Sequence, residues 1–214
     1  MGGMAGDPIQ WLYGLQQFGI KLGLEGISTL LERLGHPESA YPSALVGGTN
    51  GKGSVAAMME AVLAASGCKT GLYTSPHLVR PGERVRISGS DLPAGDLGRQ
   101  LETVRAAIER ALADGALEAH PSFFEVMTAT ALGAFREAGI GAAVLEVGLG
   151  GRLDATNAVE AALSVIVTVD LDHTDRLGET IGPAFVRDAF VAPGTQLLAG
   201  QDRDKGRECA LPFA

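Results

Sequence analysis

The sequence predicts an α/β protein built on a doubly wound, mainly parallel β-sheet. Apolar segments of strand length alternate along the chain with segments whose apolar residues recur at helical spacing. The strand segments are hydrophobic almost throughout, as expected for parallel strands that are covered on both faces. A glycine-rich loop lies between the first strand and the helix that follows it, an arrangement typical of a phosphate-binding site.

The composition is that of a globular protein. The chain has 214 residues, 46% hydrophobic and 20% charged, enough for one sizeable core or two small ones. Its formal net charge of −8 argues against nucleic acid or an anionic membrane as the main partner. No apolar run reaches membrane-span length, and the N-terminus lacks the pattern of a secretory signal. The two cysteines, Cys68 and Cys209, are typical of free thiols. We expect a cytoplasmic monomer whose partners are small molecules.

Two helices and a strand are predicted before the loop. The first helix covers residues 8–18, with Asp7 as its N-cap and Pro8 at its first position. The second carries four apolar residues at helical spacing, Ile27, Leu30, Leu31 and Leu34. A short buried strand is predicted at 43–46. After the loop, a helix is predicted from Val55, Met59, Val62 and Leu63, and Gly67 ends it.

The remaining chain continues the alternation. Residues 70–74 predict a second strand, and charged and apolar residues alternate at 83–87 as in a half-buried strand. Apolar residues from Leu97 to Leu112 predict an amphipathic helix, and Pro121 opens another that runs through Phe135. Two more apolar strands are predicted at 142–147 and 163–169.

The loop departs from the usual P-loop template, G-x-x-x-x-G-K-[ST]. Val46 occupies the position of the first glycine. The template has a serine or threonine directly after the lysine, whereas here Gly53 follows Lys52 and the hydroxyl residue is Ser54, one position further along. The alternative is an ordinary glycine-rich turn with an exposed lysine. Four glycines, a lysine and a hydroxyl between a strand and a helix favour phosphate binding, with the Lys52 charge placed at the outer phosphates.

Residues that could bind a ligand or take part in catalysis follow four of the predicted strands. They are the loop from Gly48 to Ser54, Ser75, Glu146 and His173. Ligands of open parallel sheets bind outside the carboxyl ends of the strands, so we expect these groups at one edge. Singly, a serine can be a turn former and a histidine a structural residue, but a buried Glu146 needs a partner. A hydroxyl, a carboxylate and an imidazole beside a nucleotide phosphate predict a Mg²⁺ site.

Two further groups of residues leave alternatives open. Arg80, Arg84 and Arg86 flank the Ser75 loop, either as the solvated face of an edge strand or as an anion clamp. Phe123, Phe124 and Met127 belong either to the core or to a ligand platform, which periodicity cannot distinguish.

Several motifs resemble the folylpolyglutamate synthase/dihydrofolate synthase family, ATP-dependent amide ligases related to the Mur ligases. The resemblance runs from about residue 22 to 178. It lies in the loop 48–54, Ser75-Pro-His-Leu78, Glu83-Arg-Val-Arg86, the segment 145–157 and Leu171-Asp-His-Thr174. It implies the fold of the central ATPase domain of a Mur ligase, with residues 1–214 as one ATP-binding domain.

The resemblance also implies roles for individual residues. ATP phosphates would be bound by Gly48, Thr49, Asn50, Gly51, Lys52, Gly53 and Ser54. Magnesium would be held by Ser75, Glu146 and His173, and the catalytic set would be Lys52, Glu146 and His173. The pterin substrate would lie against Leu22, Gly23, Ser122, Phe123, Phe124, Glu125, Leu153, Asp154 and Ala155. In the family reaction, the γ-phosphate of ATP is transferred to the carboxylate of dihydropteroate or a folate, which gives an acyl phosphate. The amino group of L-glutamate then attacks this acyl phosphate.

Two departures from the family pattern bear on activity. The segment expected to carry a carbamylated lysine reads Val186-Arg-Asp-Ala-Phe190, and Lys205 is the only lysine after Lys69. Residues 179–214 are divergent, and the C-terminal domain of the family is expected to be absent. The alternative to a ligase is therefore a truncated ATP-binding remnant, and we expect little glutamate-ligase activity from this chain.

Overall fold

The computed structural model describes residues 6–19, 23–168 and 196–199. Within them the chain forms a seven-stranded sheet. The strands are β1 (Ser43–Gly47), β2 (Thr70–Tyr73), β3 (Val85–Ile87), β4 (Ser90–Asp91), β5 (Ala142–Glu146), β6 (Leu163–Ile166) and β7 (Gln196–Ala199), arranged in the order β4-β3-β2-β5-β1-β6-β7. Strands β2, β5, β1, β6 and β7 are parallel, and β3 pairs antiparallel with β2 and with β4. The predicted mainly parallel sheet is confirmed.

Five α-helices accompany the strands in the described residues. They are α1 (Pro8–Gly14), α2 (Glu25–Arg33), α3 (Lys52–Ala65), α4 (Ala94–Ala113) and α5 (Phe123–Ala138). Short 3₁₀ turns cover Leu15–Phe18, Pro37–Ala40, Pro81–Arg84 and Ala155–Ala158. None of the helices in this part of the chain has both the length and the apolar character that a membrane crossing requires.

The helix starts follow from local side-chain chemistry. Asp7 Oδ1 accepts a hydrogen bond from the backbone of Ile9, and Pro8 opens α1, as the sequence predicts. At α5, Ser122 and Glu125 form a reciprocal capping box, in which each side chain accepts from the backbone N–H of the other residue. The caps satisfy N–H groups that have no partner within a helix.

Helices cover both faces of the sheet because side chains alternate along each strand. Leu45, Tyr73 and Leu145 point into the large core, where α1, α2, α4 and α5 pack. Their neighbours Val46, Leu72 and Val144 point to the opposite face and pack against α3 through Ala56. The doubly wound arrangement is therefore confirmed.

The strand order sets where the functional groups lie. Strand β5 pairs with β1, Val46 opposite Glu146, and also with β2, Tyr73 opposite Leu145. A strand late in the chain thus lies between two early ones. As a result, the loop after β1, the turn after β2 and the end of β5 lie side by side at the carboxyl edge of the sheet.

The structure corrects several predicted elements. Residues 81–84 form a 3₁₀ turn rather than the start of a strand, because the Glu83 carboxylate accepts hydrogen bonds from three backbone N–H groups at residues 78–80. Strand β6 ends at Ile166 rather than at 169. The short strands β4 and β7 were not predicted. Val62, predicted on the apolar face of the helix after the loop, is 70% exposed.

We predict that Leu145→Ala lowers the free energy of unfolding by about 2–5 kcal/mol, since it opens a cavity beneath a central strand. Leu145 is fully buried between the two neighbours of β5. Urea unfolding measures the change, and Val62→Ala on the exposed side of α3 is the matched control, with a change of about 0.5 kcal/mol or less. Equal losses for the two variants would contradict the assignment of Leu145 to the core.

Candidate active site

The glycine-rich loop joins β1 to the first turn of α3, and its lysine is folded back over it. Lys52 is the first residue of α3, preceded by Gly51 in a left-handed conformation with φ of 86°. The half-buried Lys52 Nζ donates to the carbonyl oxygens of Gly48 at 2.8 Å and Thr49 at 3.2 Å. The ammonium group is thereby held above the N-terminus of α3, where backbone N–H groups and the helix dipole favour an anion.

A residue that the sequence analysis did not single out braces this loop. Thr168 accepts a hydrogen bond from the backbone N–H of Thr49 through its carbonyl oxygen at 2.7 Å. Its hydroxyl accepts from Asn50 N–H at 2.9 Å and lies 3.1 Å from the Asn50 carbonyl oxygen. Gly48 has φ of 127°, and a Cβ there would lie 2.6 Å from the Thr168 carbonyl oxygen. Only glycine allows this close approach.

Glu146, at the end of β5, connects the loop to the turn after β2. The residue is 6% exposed, and Oε2 accepts from the backbone N–H of Ser75 at 2.9 Å. A Cβ on Gly53 would lie 3.3 Å from Oε1, so α3 approaches the carboxylate on its other side. Burial raises the pKa of Glu146, while the hydrogen bond from Ser75, the Lys52 charge, the Gly53 backbone and the Arg84 charge oppose the increase.

The structure brings together three of the four predicted strand-end groups. The loop, Ser75 and Glu146 are neighbours, whereas His173 lies outside the described residues. In the sheet, β1 lies between β5, which Glu146 ends, and β6, the last described strand before His173. The segment 186–190 and Lys205 are also outside the described residues.

The oxygen donors at Glu146 suit a hard divalent cation. Among the residues that the structure describes, no group of three or more His, Cys, Asp or Glu side chains could hold a metal ion. The carboxylate of Glu146 and the Ser75 hydroxyl are nevertheless the ligand types that Mg²⁺ takes when water and phosphate oxygens complete its coordination. Their roles as magnesium ligands stay a prediction.

A cleft of about 360 Å³ opens beside Ser75. Eight of the nine residues predicted to contact substrate line it: Gly23, Ser122, Phe123, Phe124, Glu125, Leu153, Asp154 and Ala155. The ninth, Leu22, lies outside the described residues. Further lining residues are Gln16, Gly19, Ser75, Pro76, Arg84, Gly148 and Leu149. The substrate contacts themselves stay a prediction.

One wall of the cleft is a loop organised around Asp154. The Asp154 carboxylate is buried and accepts from the backbone N–H groups of Gly148, Leu149 and Thr156 and from the Thr156 hydroxyl. Burial raises its pKa, and these hydrogen bonds oppose the increase. Four donors occupy the carboxylate, so the side chain shapes the wall rather than presenting a free acceptor. A Cβ on Gly148 would lie 2.6 Å from the Phe124 ring, which explains a glycine at this position.

The opposite wall combines α5 with the start of α2. Ser122 Oγ donates to Glu125 Oε2 at 2.7 Å, which adds to the capping box. A Cβ on Gly26 would lie 2.5 Å from Glu125 Oε1, so the two helices meet closely. Gly23 N–H donates to the Leu153 carbonyl oxygen at 3.5 Å and joins this wall to the Asp154 loop. The buried capping box therefore also positions the cleft.

The structure separates the alternatives left open for the arginines and aromatic residues. Arg84 lines the cleft, with its guanidinium carbon 5.2 Å from the centroid of Phe123. Arg86 instead forms a 3.1 Å ion pair with Asp91 at the exposed edge of the sheet. Phe123 and Phe124 line the cleft, and Met127 is a fully buried core residue.

Comparison with known proteins relates the chain to one group of enzymes. No protein-family model matches it. The chain is 45% identical over 189 residues to a probable bifunctional folylpolyglutamate synthase/dihydropteroate synthase of Halobacterium salinarum, covering 87% of this chain and 23% of the relative. It is 44% identical over 177 residues to the dihydrofolate synthase/folylpolyglutamate synthase of Escherichia coli, covering 81% and 40%. The chain thus spans well under half the length of these relatives.

Solved structures of the same group share the fold. The E. coli FolC in complex with DHPP and ADP gives a TM-score of 0.74 at 39% identity, over 84% of this chain and 42% of that one. A Mycobacterium tuberculosis folylpolyglutamate synthase complexed with ADP and AMPPCP gives 0.81 at 34% identity, over 92% and 46%. A bifunctional enzyme with Mn, AMPPNP and L-glutamate bound gives 0.72 at 37% identity, over 82% and 41%.

We predict that Thr168→Val loosens the loop, because valine keeps the shape of threonine but can neither accept from the Asn50 N–H nor donate to the Asn50 carbonyl oxygen. Amide hydrogen exchange at Asn50 should become faster by roughly two- to tenfold, the range for losing one hydrogen bond. Thr168→Ser keeps the hydroxyl and is the matched control. Unchanged exchange in the valine variant would show that the loop does not depend on this side chain.

We predict that Glu146→Gln changes how stability depends on pH. With a raised pKa, native wild-type protein binds more protons at Glu146 than the unfolded chain does. Its free energy of unfolding should therefore fall as the pH rises from the ordinary value of 4.5 through the raised pKa, relative to the glutamine variant. Urea unfolding across that pH range measures the difference. The exposed Glu102→Gln is the control, and parallel curves for wild type and Glu146→Gln would contradict the assignment.

Proposed function

Since the chain is homologous to part of the folylpolyglutamate synthase/dihydrofolate synthase family, we propose that it binds ATP and a folate-type carboxylic acid in adjoining sites. In the proposed reaction, these sites support ATP-dependent ligation of L-glutamate to dihydropteroate or tetrahydrofolate. The observation that carries the proposal is the contact at Ser75, which lines the cleft and donates to Glu146, while Glu146 lies against the phosphate loop. The two sites therefore share a wall.

The phosphate site consists of the loop 48–54 and the first turn of α3. Backbone N–H groups at a helix N-terminus bind anions, and the Lys52 ammonium adds a full charge. Lys52 now donates to carbonyl oxygens of its own loop, and a bound nucleotide would exchange these neutral acceptors for phosphate oxygens. Charge-assisted hydrogen bonds of that kind are the stronger ones.

We propose that Glu146 and Ser75 hold a magnesium ion, with His173 as the third ligand. The buried carboxylate is costly to ionise, and a cation beside it would favour the charged form. When bound, the ion supplies charge neutralisation at the transferring phosphate. The E. coli FolC and M. tuberculosis structures contain ADP, and the bifunctional enzyme contains AMPPNP and Mn, which supports a nucleotide and a divalent metal as ligands.

The cleft suits a flat, partly apolar acceptor. Its volume lies in the range of small-molecule sites, and Phe123 and Phe124 offer aromatic surface beside the polar Ser75 end. The ring system would lie toward Gly23, Leu153 and Ala155, with Leu22 as a further proposed contact. This orientation points the carboxylate of the acceptor toward Ser75 and the phosphate loop.

The chemistry requires placement more than a protein nucleophile. An oxygen of the acceptor carboxylate bonds to the γ-phosphorus, and the bond to the bridging oxygen breaks with its electrons leaving on ADP. The amino nitrogen of L-glutamate then attacks the acyl carbon, phosphate leaves, and the nitrogen loses a proton to solvent. The shared wall holds the two anionic reactants at one point, as phosphoryl transfer needs.

A single assay tests turnover. Purified chain is incubated with ATP, Mg²⁺, L-glutamate and either dihydropteroate or tetrahydrofolate, and mass spectrometry detects glutamylated product. Product with one acceptor identifies the substrate. Binding of both ligands without product would support the nucleotide-binding alternative in place of ligation by this chain. A cytoplasmic location and a monomeric state stay predictions from the sequence.

We predict that Lys52→Ala weakens Mg-ATP binding by roughly ten- to a hundredfold, because it removes a charge-assisted contact to the outer phosphates. Isothermal titration calorimetry with AMPPNP and Mg²⁺ measures the affinity. Lys69→Ala is the matched control, because Lys69 lies before β2, at the opposite edge of the sheet, and donates to the Ala138 carbonyl oxygen. Equal affinities for wild type and Lys52→Ala would refute the phosphate site.

A further inference from the structure

We propose that Arg84 binds the reacting carboxylate of the acceptor, and that His77 is the positioning residue that holds Arg84 in the cleft. The inference rests on the proposed function, since it assigns a residue to the carboxylate of that substrate class. Neither residue belongs to the site set predicted from the sequence. Arg84 was there one of three arginines interpreted either as the solvated face of an edge strand or as an anion clamp.

Arg84 occupies the place where the acceptor carboxylate must lie. It lines the cleft together with Ser75 and Phe123, and its charge acts on the Glu146 carboxylate. Of the described residues that line the cleft, Arg84 is the one with a cationic side chain, and the two with carboxylates are Glu125 and Asp154. An anionic ligand in this space therefore has one cation to approach.

The guanidinium group is oriented but not neutralised. Arg84 Nε donates to His77 Nδ1 at 2.8 Å, and the guanidinium carbon lies 5.2 Å from the Phe123 centroid. None of the ion pairs formed among the described residues includes Arg84. Arg84 also hydrogen-bonds the Tyr73 hydroxyl. Since a guanidinium carries five N–H donors, N–H groups of the terminal nitrogens remain to donate to a carboxylate.

His77 is held in turn by the start of the chain. Arginine is always a donor, so His77 Nδ1 is the acceptor and the neutral ring carries its proton on Nε2. That Nε2 lies 3.3 Å from the Tyr13 hydroxyl, on α1. The ring of Tyr13 also stacks 6.3 Å from Phe123, the residue beneath the arginine. Helix α1, the Ser75 turn and α5 thus fix Arg84 from three sides.

This placement gives the arginine a function that a flexible lysine would not supply. Two anions, the carboxylate and the terminal phosphate, must approach before the new bond to phosphorus forms. A bidentate guanidinium lowers their repulsion and orients the carboxylate plane, while Arg84 itself gives up no proton. Lys52 serves the phosphate on the other side of Glu146.

The test compares acceptors with and without the carboxylate. Calorimetry with AMPPNP and Mg²⁺ present measures binding of dihydropteroate and of the same molecule with hydrogen in place of the carboxylate. Arg84→Met should weaken dihydropteroate binding by roughly ten- to a hundredfold and leave the carboxylate-free compound unchanged. Arg84→Lys should recover only part of the loss. Arg86→Met, two residues along the chain and paired with Asp91, is the matched control.

His77 is tested by the atom it supplies. His77→Asn keeps an acceptor near the position of Nδ1 and should retain most of the carboxylate-dependent affinity, whereas His77→Leu should lose it with nucleotide binding intact. An equal loss of affinity for both compounds in His77→Leu would mean that His77 has a merely structural role, and would overturn its role in positioning Arg84.

The outcomes separate this inference from the proposed function. Wild-type binding of dihydropteroate with an equal affinity in Arg84→Met would overturn the role of Arg84 and leave the proposed function standing. Failure of the wild type to bind dihydropteroate while it binds AMPPNP would overturn both. A selective loss of the carboxylate-bearing compound supports both.

Discussion

The buried carboxylate of Glu146 is the contact on which the arrangement of the site depends. It ends a central strand with its charge below the surface, and such a charge is tolerated only with partners. The partners are the backbone of Ser75, the first turn of α3 and the charges of Lys52 and Arg84. Because burying this charge is costly without partners, the phosphate loop, the turn after β2 and the cleft all lie next to the Glu146 carboxylate. The pKa of Glu146 is raised because these partners offset only part of the cost of burying its charge, and a bound cation would offset the rest.

The cleft follows a different physical rule. Its walls are made of side chains that are already satisfied internally, such as Asp154 with four donors and the Ser122–Glu125 capping box. Such walls keep their shape without ligand, which reduces the entropy lost on binding. Arg84 differs, because none of the ion pairs formed among the described residues includes it. Shape and charge recognition are thus assigned to different residues.

Much of the fold could be predicted because the governing patterns are local. Apolar strands, helical spacing and the Asp7 cap each depend on residues close in the chain, and the rule for strand ends then placed Ser75 and Glu146 at one edge. The position of β5 between β1 and β2 could not be predicted, since strand order depends on long-range pairing rather than on local pattern. Thr168 was included in the strand predicted at 163–169, so the sequence pattern did not indicate its contact with the phosphate loop. The contact of Tyr13 with His77 joins residues 64 apart, which no spacing rule detects.

The location of β1 in the sheet has a consequence for how the molecule is assembled during synthesis. Strand β1 pairs only with β5 and β6 among the described strands, and both lie about a hundred residues downstream. The ribosome therefore releases an apolar strand and its glycine-rich loop well before anything can pair with them. Until β5 emerges, both edges of β1 are open to other chains, and closing such long loops is slow. Chaperone dependence during translation should accordingly concentrate on the first third of the chain, the same part that later carries the phosphate loop.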